Sequence, residues 1–250
     1  MGGDRLHPEE DVSDKIQQII RQTIDRGGTL IIPSFAVERA QLLMYLLWQL
    51  HKKDKIPKVP IYLDSPMGAS VLNLFHRHYE WHKLSPDECT GMCNAVRVVA
   101  SYEETWEIIE ADQPKIVIAG SGMVTGGRVL TYLKQYIDRP ETTVMLAGYQ
   151  AEGTRGRQLL DGCHEVKFYG KYYPVKAQVE YLQSLSAHAD RDELLDWAGS
   201  IKQKPERVFI VHGEPQASDM LRLKLKDELG WDSEIPDLFD IREVGLDGEG

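Results

Sequence analysis

His188 and His212 are the two histidines whose settings suit chemistry. His188 lies in Ser184-Leu-Ser-Ala-His-Ala-Asp190, just before a helix expected to begin near Arg191. Asp190 is placed to cap that helix, and a carboxylate so near would support a protonated imidazole able to transfer a proton. His212 directly follows the apolar run Val208-Phe-Ile-Val211, read as a strand over Arg207–Val211, and precedes Gly213-Glu214. A histidine at a strand's carboxyl end can be held firmly enough to ligate a metal or move a proton. Each also reads as a hydrogen-bonded turn or capping histidine, and the local sequence leaves both readings open.

Two glycine-rich stretches could meet an anion. Residues 120–128, Gly-Ser-Gly-Met-Val-Thr-Gly-Gly-Arg, join a strand to a helix, so backbone N–H groups can approach a phosphate there and Arg128 can add a bidentate contact. Thr125 stands where a dinucleotide fingerprint needs its third glycine, and a tight structural turn explains the stretch equally well. Residues 148–156, Gly-Tyr-Gln-Ala-Glu-Gly-Thr-Arg-Gly, offer Glu152 and Arg155 but also read as a solvated loop. His76, His78, His82, Cys89 and Cys93 tempt a zinc reading. The segment has no tight Cys-x-x-Cys pair and reads as a helix followed by a polar loop. Neither a His-Glu-x-x-His nor a Gly-x-Ser-x-Gly motif occurs.

The elements that must position these residues alternate. Val12, Ile16, Ile19, Ile20 and Thr23 recur at helical spacing and stop at Gly27-Gly28. Strands are expected at Thr29–Pro33, Val59–Leu63, Val96–Ala100, Lys115–Ala119, Thr143–Ala147 and Arg207–Val211. Helices are expected at Ala36–His51, Glu103–Ala111, Arg128–Ile137, Arg191–Ile201 and Ala217–Leu229. Continuous apolar strands between helices imply an α/β fold, a mostly parallel sheet with helices on both faces. Several strands end in polar turn residues, at Ser34, Asp64-Ser65, Gly120-Ser121 and His212, which is where such sheets bind ligands.

Composition narrows the class. The chain has 250 residues, 42 % apolar and 27 % charged, which suits a packed soluble domain or two. No apolar run approaches the roughly 20 residues of a membrane helix, so no membrane partner is expected. Three cysteines form no even disulfide framework, which fits a cytoplasmic location. A net charge of −10 argues against a broad coating of nucleic acid but permits a locally basic cleft.

Taken in order, six segments resemble one family. Gly28–Val37 with Arg39-Ala-Gln41, Pro60–Met67, Ala119–Met123 with Gly126-Gly-Arg128, Gly148–Thr154, Leu185–Asp190 and Val211–Glu214 are similar to β-CASP proteins. These are metallo-β-lactamase-fold nucleases such as ribonuclease J and the pre-mRNA 3′-end cleavage subunit. The resemblance implies a β-CASP nucleic-acid-binding domain over 8–184 and, over 185–250, the C-terminal part of a metallo-β-lactamase domain. It implies that His188 assists proton transfer to the leaving group and that His212 ligates one of two zinc ions. A histidine at the latter position resembles the RNA-processing branch, since the DNA-repair branch tends to have valine there. Two-metal hydrolysis of RNA phosphodiester bonds is the activity implied. Strand-end position nominates Ser34, Ser121, Gly122, Gly126, Gly127, Arg128, Lys176 and Ser186 to grip the RNA backbone.

The family's His-x-His-x-Asp-His motif and its later His and Asp ligands do not occur. The expectation is that the N-terminal metallo-β-lactamase half lies outside this chain, which alone neither holds two zincs tightly nor cleaves RNA. The expected partners are single-stranded RNA, that missing half and a second copy of the chain. Residues 29–148 are expected to be the stable core, and the region after Leu185 to dock loosely, self-associate or expose apolar surface. Two other readings stand beside this one: a non-catalytic RNA-binding scaffold, and a plain nucleotide-binding α/β domain suggested by the Gly120–Gly127 turn. The missing third glycine and the two histidines weigh against the last.

Overall fold

A computed structural model describes residues 12–185 and 188–243, which fall into two compact units at that division. The first is built on a six-stranded sheet whose pairings are all parallel. In chain order its strands are β1 (Thr29–Pro33), β2 (Ile61–Asp64), β3 (Arg97–Val98), β4 (Lys115–Ala119), β5 (Thr143–Ala147) and, after a hairpin, β8 (Gln178–Leu182). Their spatial order is β3-β2-β4-β1-β5-β8, with β1 and β4 in register from Thr29 opposite Lys115 to Pro33 opposite Ala119.

The central strands β1, β4 and β5 are buried on every residue, because both faces of the sheet are covered. Leu30, Ile32, Ile116, Ile118 and Met145 pack on one face with Ile16 and Ile20 of α1 (Val12–Asp25) and Leu43 and Leu47 of α2 (Arg39–Lys52). The same core takes Leu72 of α3 (Pro66–Arg77) and Met92 of α4 (Pro86–Asn94). Ile31, Val117, Val144 and Leu146 point the other way. They meet Ile108 of α5 (Tyr102–Glu110), Leu133 of α6 (Val129–Tyr136) and Leu159 of α7 (Arg155–Leu160). One-residue alternation along each strand thus feeds two separate cores.

Several elements differ from the sequence expectation. The core runs beyond residue 148: β6 (Glu165–Phe168) and β7 (Lys171–Pro174) form an antiparallel hairpin, and β8 pairs with β5 to make the sheet's edge. The Cys89–Cys93 region is helical, because Ser85 and Glu88 form a capping box with Pro86 in the first turn. Residues 36–38 do not join α2, since Glu38 has φ 60, outside the helical region.

The second unit, 188–243, packs α8 (Arg191–Gly199) and α9 (Pro215–Leu229) around Leu195, Ala198, Ile210, Leu225 and Trp231. Asp190 caps α8 in a reciprocal box with Glu193. The strand expected at Arg207–Val211 does not form among the described residues, where a single bridge joins Phe209 to Glu234. A strand needs a neighbour along its length, and the pairing here ends after Ile210 N–H to Glu234 O and Glu234 N–H to Val208 O. Trp197, Val211, Leu238, Phe239 and Ile241 are exposed, so this unit presents apolar surface.

Candidate functional site

The carboxyl ends of β1, β2 and β4, neighbours in the sheet, open into one cleft of about 550 Å³. Each strand hands over to a polar turn there: Ser34 after β1, Asp64-Ser65 at the end of β2, and Gly120-Ser121 after β4. Phe35, Met67, Tyr102 and Tyr169 supply apolar walls.

Asp64 forms the floor and is fully buried. Its Oδ2 accepts hydrogen bonds from Thr105 Oγ1 at 2.6 Å and Tyr132 Oη at 2.8 Å. Arg128 brings its Nε to 3.7 Å from Asp64 Oδ1 and donates from a terminal nitrogen to Thr105 Oγ1 at 2.9 Å. The guanidinium also lies 4.7 Å from the centre of the Tyr102 ring, a cation–π contact. Burial, and then the Asp64 charge, push the Tyr132 phenol well above its ordinary pKa, so it stays a donor. Arg128 reaches the cleft, as the sequence suggests, but only 19 % of its side chain is exposed and its charge already balances a carboxylate.

The loop before α6 is shaped by its own contacts. Ser121 Oγ accepts from the N–H groups of Thr125 and Gly126 at 3.0 and 3.2 Å, so this hydroxyl closes the turn. Gly127 has φ +75, and a Cβ there would lie 2.5 Å from Gly120 O. At Gly122 a Cβ would fall 2.6 Å from the Phe35 ring, whereas Gly126 has open space around it. Buried Gln150 donates to the carbonyls of Gly122 and Gly148, which clips this loop to the one after β5. Arg155, open to a phosphate role in the sequence, donates to Val124 O and Thr125 O and, through Nε, to Lys167 O. It therefore ties the loop to the β6–β7 hairpin. Sequence reasoning missed that hairpin and with it Tyr169, at its tip.

The remaining nominated residues distribute unevenly. Ser34 lines the cleft but is buried, its Oγ bonded to Phe35 O at 3.0 Å. Lys176 is away from the cleft: it is exposed just before β8, whose first residue Gln178 pairs with Thr143 at the start of β5. That is the amino end of the parallel strands, opposite the cleft, so strand-end position does not support the nomination. Ser186 lies outside the described residues. His188 and His212 both belong to the second unit and are exposed, His188 two residues before the α8 cap and His212 ahead of α9. His212 has φ 63, a left-handed backbone that a non-glycine residue adopts at a cost and that often marks a functional position. Among the described residues, no three His, Cys, Asp or Glu side chains are grouped so as to hold a metal ion.

Comparison with known proteins agrees with this geometry. Residues 40–159 match the Beta-Casp domain, and residues 172–236 match the Zn-dependent metallo-hydrolase RNA specificity domain. The chain is 36 % identical over 226 residues to Ribonuclease TTHA0252 of Thermus thermophilus, covering 86 % of this chain and 50 % of that protein. It is 33 % identical over 219 residues to Transcription termination factor FttA of Methanosarcina mazei, covering 83 % and 34 %. It is 34 % identical over 196 residues to an RNase J-like protein of Methanocaldococcus jannaschii, covering 78 % and 45 %. The chain spans half or less of the length of these relatives. With a parallel α/β sheet, a strand-end cleft and two consecutive matching domains, this chain belongs to the β-CASP family of metallo-β-lactamase-fold nucleases.

Proposed function

We propose that the chain grips single-stranded RNA for a zinc-dependent ribonuclease that hydrolyses phosphodiester bonds in RNA processing or decay. The observation that carries this is the meeting of three strand-end turns, an arginine and exposed aromatic rings in one cleft. The RNA specificity domain matched by residues 172–236 adds support. In this reading His188 supplies a proton to the leaving group and His212 is one zinc ligand. The left-handed backbone at His212 favours a functional role for it.

The donor set described does not fit a zinc site by itself. His212 would be one ligand where catalytic zinc needs at least three from protein, and no such group occurs among the described residues. We therefore assign this chain RNA binding and the leaving-group histidine, and assign the other ligands to a metallo-β-lactamase half. Exposed Trp197, Leu238, Phe239 and Ile241 support a protein partner for the second unit, that half or a second copy. The cysteine content favours the cytoplasm. A scaffold that binds RNA without cutting it is the second reading, favoured by the same shortage of grouped ligands.

Fluorescence anisotropy with a labelled single-stranded RNA, titrated across salt concentrations, tests the binding claim. Affinity should fall with salt with a log–log slope of roughly −0.7 per phosphate held. Salt-independent binding, or a mononucleotide bound as tightly as the oligomer, would contradict it. Cleavage of 5′-labelled RNA, with zinc and then with chelator, by the chain joined to a metallo-β-lactamase half separates the two readings. Chelator-sensitive cutting selects the ribonuclease, and binding without cutting by a zinc-loaded protein selects the scaffold.

A further inference from the structure

We propose that the cleft is a nucleobase-stacking subsite, with the Tyr169 ring as platform and Phe35 as a second wall. The inference rests on the RNA reading and adds which part of the RNA the cleft holds.

Tyr169 and Gly170 form the two-residue loop of the β6–β7 hairpin, with φ 48 and φ 83. Two positive φ values are the signature of a type I′ turn, whose first position favours Asn, Asp or Gly. An aromatic residue there carries backbone strain that Asn would relieve. The ring gains no burial in exchange, since it is 62 % exposed while it lines the cleft. The base of the hairpin is firm: Val166 and Phe168 are buried in the core, and Arg155 Nε holds Lys167 O at 2.6 Å. A rigid arm thus presents an exposed ring at the cleft from a strained turn.

Phe35 is the second such ring, 46 % exposed directly beyond β1. The loop makes room for it, because any Cβ at Gly122 would strike the Phe35 ring. Tyr102 also lines the cleft, but the Arg128 guanidinium stacks against it. Phe35 and Tyr169 are left as the rings for a ligand. Apolar walls suit the face of a base rather than a phosphate, and a cleft of about 550 Å³ is in the range that encloses small organic ligands. Stacking on aromatic side chains tolerates any base, because every base presents a flat face.

The test uses single-stranded RNA carrying 2-aminopurine, whose fluorescence is quenched on stacking. Wild-type chain should quench it. Tyr169→Asn, which suits the turn and should fold, should lose quenching and bind the RNA roughly 5- to 100-fold more weakly at an unchanged salt slope. Tyr169→Trp should restore both, and Phe35→Ala should weaken binding in the same direction. An abasic oligomer with the same number of phosphates should bind wild type at least as weakly as RNA binds Tyr169→Asn. RNA binding by wild type without quenching, or a Tyr169→Asn variant that binds like wild type, overturns the subsite and leaves the RNA reading standing. A wild-type chain that binds no single-stranded RNA overturns both.

Discussion

Arg128 Nε lies 3.7 Å from Oδ1 of Asp64, a carboxylate with no exposed surface, and the pair forms the floor of the cleft. The other carboxylate oxygen is taken by Thr105 and Tyr132, and Thr105 in turn accepts from Arg128. Four side chains from β2, α5, α6 and the turn before α6 are thereby locked together. Arg128 is first of all the counter-charge of Asp64, and any phosphate it meets must share it.

Arg128→Ala should consequently destabilise the fold as well as weaken RNA binding. Removing one partner strands the other charge in a dry site, at a cost of about 3 kcal/mol. Asp64→Asn combined with Arg128→Ala should recover part of that loss, because no buried charge remains. Urea unfolding of the two single variants and the double variant gives the coupling. An Arg128→Ala protein within 1 kcal/mol of wild type, by order of magnitude, would show that the pair is not structural.

Gly126 and Gly127 stand side by side in the sequence yet should respond oppositely to alanine. At Gly127 the positive φ and a contact of 2.5 Å to Gly120 O make any Cβ a clash, so Gly127→Ala should cost roughly 1–3 kcal/mol. Gly126 has no atom within 4 Å of an added Cβ and no positive φ, so Gly126→Ala should be neutral or stabilise by up to about 1 kcal/mol. Thermal melts of the two variants decide this, and equal losses at both positions would refute the assignment.

The sheet was most legible where burial is two-sided. β1, β4 and β5 announce themselves as unbroken apolar runs, and their bounds follow from the sequence. The edge strand β8 reads Gln-Val-Glu-Tyr-Leu, half polar because one flank has no neighbour, and it carries no such signal. Missing β8 also misplaced Lys176, which looks like a loop cation until the strand it precedes gives it an end of the sheet. Ser85-Pro86-Asp87-Glu88 is a readable helix start, with a capping serine, a proline in the first turn and a glutamate three residues on. Turns at Ser34, Asp64 and Gly120 were found because each directly follows an apolar run. Tyr169 could not be, since a hairpin far along the chain delivers it, and only the fold sets the two side by side.

Lys115, buried at the start of β4, was likewise invisible as anything but a strand residue. Its Nζ donates to Ile108 O at 2.5 Å and to Ala111 O, carbonyls at the end of α5. Burial is the main cause that lowers its pKa to about 8, from an ordinary value of 10.5. Between those values the unfolded chain holds a proton that the folded chain has released. Stability should therefore rise with pH across that window, by up to about 3 kcal/mol if nothing else titrates. Denaturant midpoints measured from pH 7 to 11, compared with Lys115→Met, isolate the effect. A wild-type profile parallel to that of the variant would rule it out.

His188 and His212 should separate activity from stability. Both are exposed, so replacing either by alanine should change folding free energy by no more than about 0.5 kcal/mol. In the chain joined to a metallo-β-lactamase half, His188→Ala should lower RNA cleavage by roughly 100-fold or more, the usual contribution of a positioned proton donor. RNA affinity and bound zinc should stay as they were. His212→Ala should instead lower the zinc content measured by metal analysis, and lose cleavage as a consequence. The two signatures differ because one residue is assigned to the leaving group and the other to the metal. If His188→Ala lost zinc while His212→Ala kept it, the two roles would have to be exchanged. Two alanine variants that cleave like the parent would return both histidines to the turn and capping roles their local sequence also allows.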